Sequence, residues 1–307
     1  EALLLEVDRP TEVTGFQAVL VKSPAGACSE SIVLPPELHY LRSGDVVRVN
    51  PKKGEIHVLY RRSSPHNSLL VTERCNSKCL MCSQPPRAID DGYIVDDLLK
   101  AIPLMSPDTE VIGFTGGEPM LLHDGFIALL KCAKTYLPDT EVHVLTNGRL
   151  LSYTAYAQKV AAVKHPQLTL CIPLYSDVDG LHDFVVQARG AFDQTVRGIL
   201  NLARVGVAVE VRVVIHRQTY ARLPRLAEFI ARNLPFVSHV ALMGLEMTGF
   251  TRANLAALWI DPADYQRELS EAVATLDWAG LHTSIYNHQL CLLPREPVSY
   301  THLTLPT

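Results

Sequence analysis

Short apolar runs alternate with longer amphipathic stretches along most of the chain. The runs are rich in β-branched residues and nearly continuous, a pattern typical of parallel strands covered by helices. They predict strands at 68–72, 110–115, 141–146, 168–176, 209–216 and 239–246. The amphipathic stretches predict helices at 94–104, 122–136, 153–163, 191–205, 221–233 and 262–278. Six strand–helix repeats in a row predict right-handed crossovers between parallel strands.

Six repeats are fewer than the eight of a closed TIM barrel. The pattern therefore predicts an α/β fold with a partial (β/α)6 TIM-like barrel, which we assign to residues 66–290. An open doubly wound sheet is the competing architecture. In barrels of this kind the chemistry takes place at the carboxyl ends of the strands, so polar motifs directly after each strand are the candidate site residues.

Residues 1–65 follow a different pattern, in which apolar and polar residues alternate. The stretches FQAVLVKS and DVVRVNPKKGEIHVLYRR indicate strands, with a turn at PKKGE, and predict a small β-rich N-terminal domain. At the other end, residues 291–307 form a C-terminal segment, and 297–307 have no periodicity. We interpret 297–307 as a sequencing artefact that truncates the chain, with a genuine disordered tail as the alternative.

Charge and hydropathy narrow the classes of partner. The net charge is -4 and the isoelectric point about 6.3, so the composition predicts no basic surface for nucleic acid. No apolar run approaches the roughly 20 residues that span a bilayer, and the first residues lack the basic start of a signal peptide. Seven cysteines, an odd number with three of them clustered, favour a metal site in a reducing compartment over a disulfide framework. Together these features predict a cytoplasmic protein.

Three of the cysteines, Cys75, Cys79 and Cys82, follow the first predicted barrel strand with the spacing C-x3-C-x2-C. Thiolates are soft ligands that suit iron–sulfur clusters, zinc or Cu(I). Three cysteines hold three irons of a four-iron cluster and leave the fourth iron an open position. The alternatives are a zinc site with a remote fourth ligand, or cysteines buried as small hydrophobic residues.

The segment GFTGGEP places Gly116, Gly117 and Glu118 at the end of the second predicted strand. Glycines let the backbone approach a ligand closely, and a carboxylate suits an ammonium group. This segment, after a C-x3-C-x2-C motif at the preceding strand end, resembles the radical S-adenosylmethionine (radical SAM) superfamily. The resemblance implies a [4Fe–4S] cluster on the three cysteines, S-adenosylmethionine on the open iron, and a Gly-Gly-Glu segment that receives the methionyl amine.

Polar residues at the next two strand ends extend the resemblance. Asn147, in LTNGR, and Ser176, in YSDVDG, resemble residues that contact the ribose and methionine parts of S-adenosylmethionine in family members. A helix cap or an Asx-turn is the alternative for each. Met81 departs from the family pattern, because many members carry an aromatic residue before the third cysteine. Methionine is apolar and adaptable enough to replace it.

The β-rich extension and the segments RCNSKCLMCSQPP, GFTGGEPML and YNHQLCLLP resemble the His-Xaa-Ser system radical SAM maturases of the HxsC type. The resemblance covers nearly all of residues 1–295. It implies modification of a peptide or protein with His-Xaa-Ser repeats, a second radical maturase of the same system, and a flavodoxin- or ferredoxin-type reductant. It also implies an auxiliary iron–sulfur cluster, for which Cys291 would be the first ligand. The alternative for Cys291 is a lone buried cysteine.

Two other kinds of function stay open. A radical SAM enzyme can act on a small molecule, as the carboxy-deazaguanine synthases do, or on a glycyl-radical partner. A zinc-stabilised binding module without catalysis belongs to a different class. Among single residues, Cys132 and Cys171 are expected to pack in the core, His143 and His216 to be structural, and Arg212 to face either the lumen or solvent.

Overall fold

The N-terminal part of the chain forms two small sheets. The computed structural model describes residues 2–5, 18–23, 31–50 and 53–292. Strands β1 (Ala2–Leu5), β2 (Ala18–Val21) and β3 (Ser31–Val33) form a parallel sheet. Strands β4 (Val46–Asn50) and β5 (Glu55–Tyr60) form an antiparallel hairpin, as the alternating pattern predicts. Gly54, with a φ of 65°, lies in the turn before β5.

The hairpin also belongs to the core of the main fold. The side chains of Val46 and Tyr60 are buried in the same apolar cluster as the barrel strands and helices. The Tyr60 hydroxyl lies 2.9 Å from Oγ1 of Thr109, and Arg48 forms an ion pair of 3.1 Å with Asp97. The hairpin is therefore anchored to the barrel by packing, by a hydrogen bond and by an ion pair. The domain boundary at residue 65 stays a prediction.

The main sheet has seven parallel strands in chain order, as expected for a barrel that does not close. They are β6 (His66–Thr72), β7 (Val111–Gly116), β8 (Glu141–Leu145), β9 (Leu168–Pro173), β10 (Ala208–Val214), β11 (His239–Met243) and β12 (Thr283–Tyr286). Each strand pairs only with its neighbours in sequence, so all the carboxyl ends lie at one rim.

Helices cover the outer face of this sheet. The α-helices are α1 (Tyr93–Ala101), α2 (Asp124–Tyr136), α3 (Thr154–Ala161), α4 (Asp179–Val186), α5 (Ala191–Arg204), α6 (Leu223–Asn233), α7 (Phe250–Ala253), α8 (Leu255–Leu258) and α9 (Gln266–Trp278). Short 3₁₀ turns lie at Pro36–Leu38, Ile102–Leu104, Pro119–Leu122, Arg149–Ser152, Tyr220–Arg222, Pro262–Tyr265 and Leu290–Leu292.

The alternation of side chains along each strand separates the core from the lumen. On β7, Ile112 and Phe114 are fully buried in the apolar cluster beneath the helices, whereas Gly113 and Thr115 point to the opposite face. The helices supply the matching apolar side: α6 buries Leu223, Leu226, Ala227 and Ile230, at the spacing of one helical face. The core thus lies between sheet and helices, and the inner face of the sheet remains for a site.

The α/β partial barrel predicted from the sequence is confirmed, with six strand–helix units and a seventh strand. Each of the six predicted strands and helices has a counterpart that overlaps it. Other elements were not predicted. In the barrel they are α4, the short helices α7 and α8, and β12, and in the N-terminal part they are β1 and β3. Residues 293–307, including the suspected artefact, lie outside the described residues. In the part of the chain that is described, no helix is long and apolar enough to cross a membrane.

Candidate active site

The three cysteines lie together on the loop between β6 and α1. All three are free, and each is partly buried. Burial raises the pKa of the Cys75 thiol to about 11 and that of Cys79 to about 12, and it also raises the pKa of Cys82. The cysteines are therefore protonated thiols until a metal displaces their protons, as metal ligands must be thiolates.

The three thiols lie close enough together to influence one another. Besides burial, the Cys82 side chain raises the pKa of Cys75, and the side chains of Cys82 and Cys75 raise the pKa of Cys79. Three soft ligands on one loop suit a four-iron cluster with one open iron, or a zinc ion with a fourth ligand from elsewhere.

A buried carboxylate fixes the start of the cysteine loop. Asp91 accepts hydrogen bonds from Oγ1 of Thr72 (2.8 Å), the backbone N–H of Glu73 (2.6 Å) and Nε of Arg74 (3.0 Å). Burial raises the pKa of Asp91, but these donors outweigh it and the net pKa lies below its usual range. Sequence analysis missed Asp91, because nothing in the local pattern shows that it folds back onto residues 72–74.

Backbone hydrogen bonds join the Gly-Gly-Glu segment to the cysteine loop. The N–H of Gly117 donates to the Thr72 carbonyl, and the N–H of Glu118 donates to the Arg74 carbonyl, both at 2.8 Å. A Cβ atom on Gly116 would lie 2.2 Å from the Thr72 oxygen, and one on Gly117 would lie 2.0 Å from the Arg74 oxygen. Glycine is thus required here by the contact between two loops. A direct contact with S-adenosylmethionine stays a prediction for both glycines.

Glu118 joins the ends of β7 and β8. Its carboxylate accepts hydrogen bonds from the N–H of Met120 (2.9 Å), Oγ1 of Thr146 (2.6 Å) and the N–H of Asn147 (2.6 Å). The side chain is almost completely buried, and this burial raises its pKa even though the three donors oppose the shift. The carboxylate therefore holds two strand ends together. Its predicted role toward a methionyl ammonium stays a prediction.

The third strand end also contacts the cysteine loop. Nδ2 of Asn147 donates to Oδ1 of Asn76 at 2.6 Å, and Arg149 donates to the Asn76 carbonyl (2.6 Å) and to Oγ of Ser77 (3.2 Å). Nε of Arg149 is held by Oε1 of Gln194 at 2.7 Å. Arg149 is a second residue that sequence analysis missed, although LTNGR lies at a predicted strand end.

Helix α4 borders the other side of the loop. The N–H groups of Lys78 and Leu80 donate to the carbonyls of Val186 and Val185, at 3.0 and 2.9 Å. These carbonyls belong to the last turn of α4, where they have no partner within the helix. The cysteine loop therefore satisfies the open end of a helix, and the helix in turn orders the loop.

The segment that begins α7 and α8 closes the fourth side. The N–H of Phe250 donates to the Cys82 carbonyl at 2.9 Å, and Nδ2 of Asn254 donates to the Leu80 carbonyl at 2.8 Å. Gly249 has a φ of 51°, and a Cβ there would lie 2.2 Å from the Cys82 oxygen. Four different parts of the barrel rim thus hold the loop from residue 72 to residue 83.

Tyr175 and Met81 form an apolar wall beside the cysteines. Both are buried in one cluster with residues of α4. Burial raises the pKa of Tyr175 well above its usual range, and the neighbouring Cys79, Cys82 and Cys75 side chains raise it further, so the phenol lies close to them. His182 stacks on the Tyr175 ring with 5.7 Å between centroids. Met81 occupies an apolar position of the kind expected from the sequence, while Tyr175 was missed.

The fourth strand end is occupied by local interactions. Ser176 is fully buried, and its Oγ accepts a hydrogen bond from the Val178 N–H at 3.0 Å, which is the turn alternative considered for this residue. The neighbouring Asp177 is bound by Arg222 through two nitrogens, at 2.9 and 2.5 Å. A contact between Ser176 and S-adenosylmethionine stays a prediction.

Three other expectations have a definite outcome. Arg212 faces the lumen, where it pairs with Glu210. Cys171 is buried, as expected for a core residue, and it lies on the inner face of the sheet with its ligand atom close to those of His143 and Glu210. Cys132 is half-buried on α2, with its thiol directed to the Leu99 carbonyl at 3.9 Å.

Comparison with known proteins identifies the family. The sequence pattern of the Radical SAM superfamily matches residues 69–230, more than half of the chain, and includes the three cysteines and the Gly-Gly-Glu segment. The chain belongs to the Radical SAM superfamily. Membership implies a [4Fe–4S] cluster and S-adenosylmethionine. The three soft thiols on one loop fit that cluster, because they supply three of its four corners and leave the fourth iron open.

Several GTP 3′,8-cyclases are similar to this chain. The protein of Peptoclostridium acidaminophilum is 32% identical over 116 residues, which are 36% of this chain and 35% of that protein. The protein of Petrotoga mobilis is 28% identical over 157 residues, which are 48% of this chain and 46% of that protein. The chain thus spans less than half the length of these relatives.

A solved structure with the same fold is Streptococcus suis SuiB bound to S-adenosylmethionine. The TM-score is 0.58 at 19% identity, and the match covers 73% of this chain and 51% of SuiB. At this level of identity the likeness establishes the partial-barrel fold. The substrate of this radical SAM chain has to be argued from its own residues.

Proposed function

We propose that the chain cleaves S-adenosylmethionine reductively at a [4Fe–4S] cluster in order to modify a peptide or protein. The observation that carries this proposal is the pair of backbone hydrogen bonds that Gly117 and Glu118 donate to the cysteine loop. It brings three thiols and a carboxylate to one part of the barrel rim. When bound, the cluster and S-adenosylmethionine together supply removal of a hydrogen atom from an unactivated carbon.

The residues of the chain have distinct roles in this proposal. Cys75, Cys79 and Cys82 hold the cluster, while the backbone of the glycine segment and the Glu118 carboxylate receive the methionyl ammonium. Tyr175 and Met81 shield one side of the iron–sulfur cluster, because they pack among other buried apolar side chains that exclude water. Asn147 and Ser176 lie at the next strand ends, where the remaining polar atoms of S-adenosylmethionine would be bound.

A peptide substrate is favoured by the N-terminal sheets. Among the described residues β3 is an edge strand, and its Val33 is 44% exposed, so this part of the sheet offers an edge on which an extended peptide can add a strand. One of the SuiB structures of the same fold is bound to a precursor peptide, SuiA. The proposed substrate is a peptide with His-Xaa-Ser repeats, as the resemblance to the HxsC-type maturases implies.

The proposal includes further partners. They are a second radical maturase of the same system and a flavodoxin- or ferredoxin-type electron donor. An auxiliary iron–sulfur cluster would use Cys291, which is exposed at the end of the described residues and is thus available as a ligand. The cytoplasm supplies the reducing conditions that all of these thiols need.

The first experiment tests the cluster and its cofactor. The chain is reconstituted anaerobically with iron and sulfide, and the electron paramagnetic resonance spectrum of the reduced protein is recorded with and without S-adenosylmethionine. We expect a [4Fe–4S]+ signal that shifts when the cofactor is added. Cys79→Ala should abolish cluster and turnover, whereas Cys132→Ala should leave both intact. Turnover of S-adenosylmethionine by Cys79→Ala would refute the assignment.

The second experiment distinguishes substrate classes. The reduced enzyme is incubated with S-adenosylmethionine and a synthetic peptide with His-Xaa-Ser repeats, or with GTP, which the names of the curated relatives make the small-molecule candidate. A mass change confined to the peptide supports the proposal. Conversion of GTP alone would assign the chain to the small-molecule branch of the superfamily.

A further inference from the structure

The inner face of the sheet carries a polar wall that the proposed function does not use. Barrel interiors are usually filled by branched apolar side chains. Here three inward positions on neighbouring strands are His143 on β8, Cys171 on β9 and Glu210 on β10. Cys171 and Glu210 are register partners, and His143 lies one inward position below the partner of Cys171. Packing alone does not account for these residue types.

The geometry points to a bound cation. One ligand atom from each of these three side chains lies within 4.8 Å of the other two. Imidazole, thiolate and carboxylate together are a ligand set that suits zinc. Small rotamer changes on rigid neighbouring strands would bring the three atoms to a single ion, and the fourth position would face the lumen.

The surrounding residues hold Glu210 in place and contact His143. Oε2 of Glu141 lies 3.6 Å from Nε2 of His143, on the same strand. Glu210 is held on both sides, by Nδ1 of His239 at 2.8 Å and by Nε of Arg212. His239 is fixed in turn, because its Nε2 lies 2.9 Å from Oγ of Ser284. Outer contacts of this kind orient the ligands of metal sites.

Without a metal ion, these side chains can balance their charges in another way. Without a cation, Glu210 balances Arg212 and the Cys171 thiol stays neutral, so the wall is a satisfied ion-pair network. With a divalent cation, the carboxylate and a Cys171 thiolate balance the ion, and the Arg212 charge is left over. The Arg212 side chain is 26% exposed toward the lumen, where solvent can screen that charge.

We propose that His143, Cys171 and Glu210 bind one zinc ion in the lumen, below the cysteine loop. Three protein ligands with an open fourth position are typical of zinc sites that polarise a substrate atom. The open position would accept an oxygen or nitrogen atom of the substrate and fix its orientation beneath the radical centre. Binding of the ion is independent of the proposed function, whereas this role toward substrate rests on it.

The test measures metal content in the intact, reconstituted chain. The protein is dialysed anaerobically against zinc buffered with a competing chelator, and iron and zinc are measured in the same sample. We expect about one zinc ion per chain in addition to the cluster iron. Cys171→Ala should lose this zinc, and Cys132→Ala, which removes a half-buried thiol outside the lumen, should retain it. His143→Gln serves as a second variant if Cys171→Ala does not fold.

A cluster-free background separates this test from the proposed function. A chain with Cys75, Cys79 and Cys82 all changed to Ser is dialysed against Co²⁺, whose thiolate complexes absorb in the near ultraviolet. The absorption should appear in this chain and disappear when Cys171→Ala is added. Absence of zinc and of the cobalt absorption, or zinc that persists in Cys171→Ala, would overturn the proposal. A missing cluster with zinc present would refute only the proposed function.

Discussion

Single residues decide whether the loops after β6 and β7 can meet. Gly117 lies at their contact, with its N–H on the Thr72 carbonyl and its Cα facing the Arg74 carbonyl. The Gly-Gly pair therefore has a structural reason that is independent of any ligand. Glu118, the next residue, satisfies three donors that would otherwise be buried without a partner.

Gly117→Ala is expected to reduce the iron content after reconstitution and to destabilise the fold by about 1–3 kcal/mol, as overpacked positions do. The added methyl carbon would lie 2.0 Å from the Arg74 oxygen and displace the cysteine loop. Iron assay and thermal unfolding measure the two effects. Gly180→Ala is the matched control, because a Cβ there meets no heavy atom within 4 Å. Equal iron content in both variants would contradict the prediction.

Glu118→Ala is expected to retain the cluster but to bind S-adenosylmethionine more weakly. The cysteines keep their own backbone contacts, whereas the ammonium loses its carboxylate. Because the N–H groups of Met120 and Asn147 lose their acceptor, the free energy of unfolding should also fall by about 1–3 kcal/mol. Titration of the cluster signal with S-adenosylmethionine measures the affinity. An unchanged affinity would assign Glu118 to a purely structural role.

At the scale of elements, the site is made by contacts between segments that are distant in sequence. The cysteine loop is held by the ends of β7 and β8, by α4 and by the segment of α7 and α8. Asp91, at the far end of the same loop, returns to bind its first residues. These contacts hold the loop before any cofactor binds, which is the preorganisation that a reactive site needs.

Asp91→Asn is expected to change how stability depends on pH. The net pKa of Asp91 lies below its usual range, so its contribution is complete above the unfolded-state pKa of about 3.9 and is lost as the pH falls through the lower folded-state pKa. The free energy of unfolding of the wild type should therefore decrease as the pH drops below about 4, and the variant should lack this part of the decrease. Urea unfolding at a series of pH values measures both slopes. Parallel curves would show that Asp91 is not the group responsible.

The repeated elements could be predicted from sequence, while the contacts between them could not. Strands and helices such as β7 and α6 have a strong local periodicity of apolar residues, so their positions can be predicted from the sequence. β12 was missed because it has only four residues and polar neighbours, and it exists by pairing with β11. Arg149 and Tyr175 were missed for a related reason: their importance depends on which loop folds against them.

The lumen gives a second example of contacts that the sequence could not predict. His143, Cys171 and Glu210 are far apart in sequence and show no ligand spacing, so each was interpreted alone or not at all. Parallel pairing of β8, β9 and β10 brings them together on one face. Strand register is set by the whole sheet, so a site assembled across strands leaves no short motif in the sequence.

At the scale of the whole molecule, the N-terminal hairpin and the barrel share one core. Tyr60→Ala is therefore expected to destabilise the barrel by about 3–5 kcal/mol, the usual cost of removing a buried aromatic ring. Tyr60→Phe should cost only about 1 kcal/mol, because it loses the hydrogen bond to Thr109 and keeps the ring. Chemical unfolding followed by far- and near-ultraviolet circular dichroism measures both. A separate early transition for the hairpin would contradict a shared core.

The strand order also has a consequence for how the protein is made. The cysteine loop leaves the ribosome early, after β6, whereas the groups that hold it are synthesised later, ending with Asn254. The chain emerges from its N-terminal end, so an incomplete product exposes three thiols on a loop that is not yet held. A chain that ends before residue 250 would lack the Phe250 N–H on the Cys82 carbonyl and the Asn254 amide on the Leu80 carbonyl, so we expect it to take up less iron on reconstitution than the full chain.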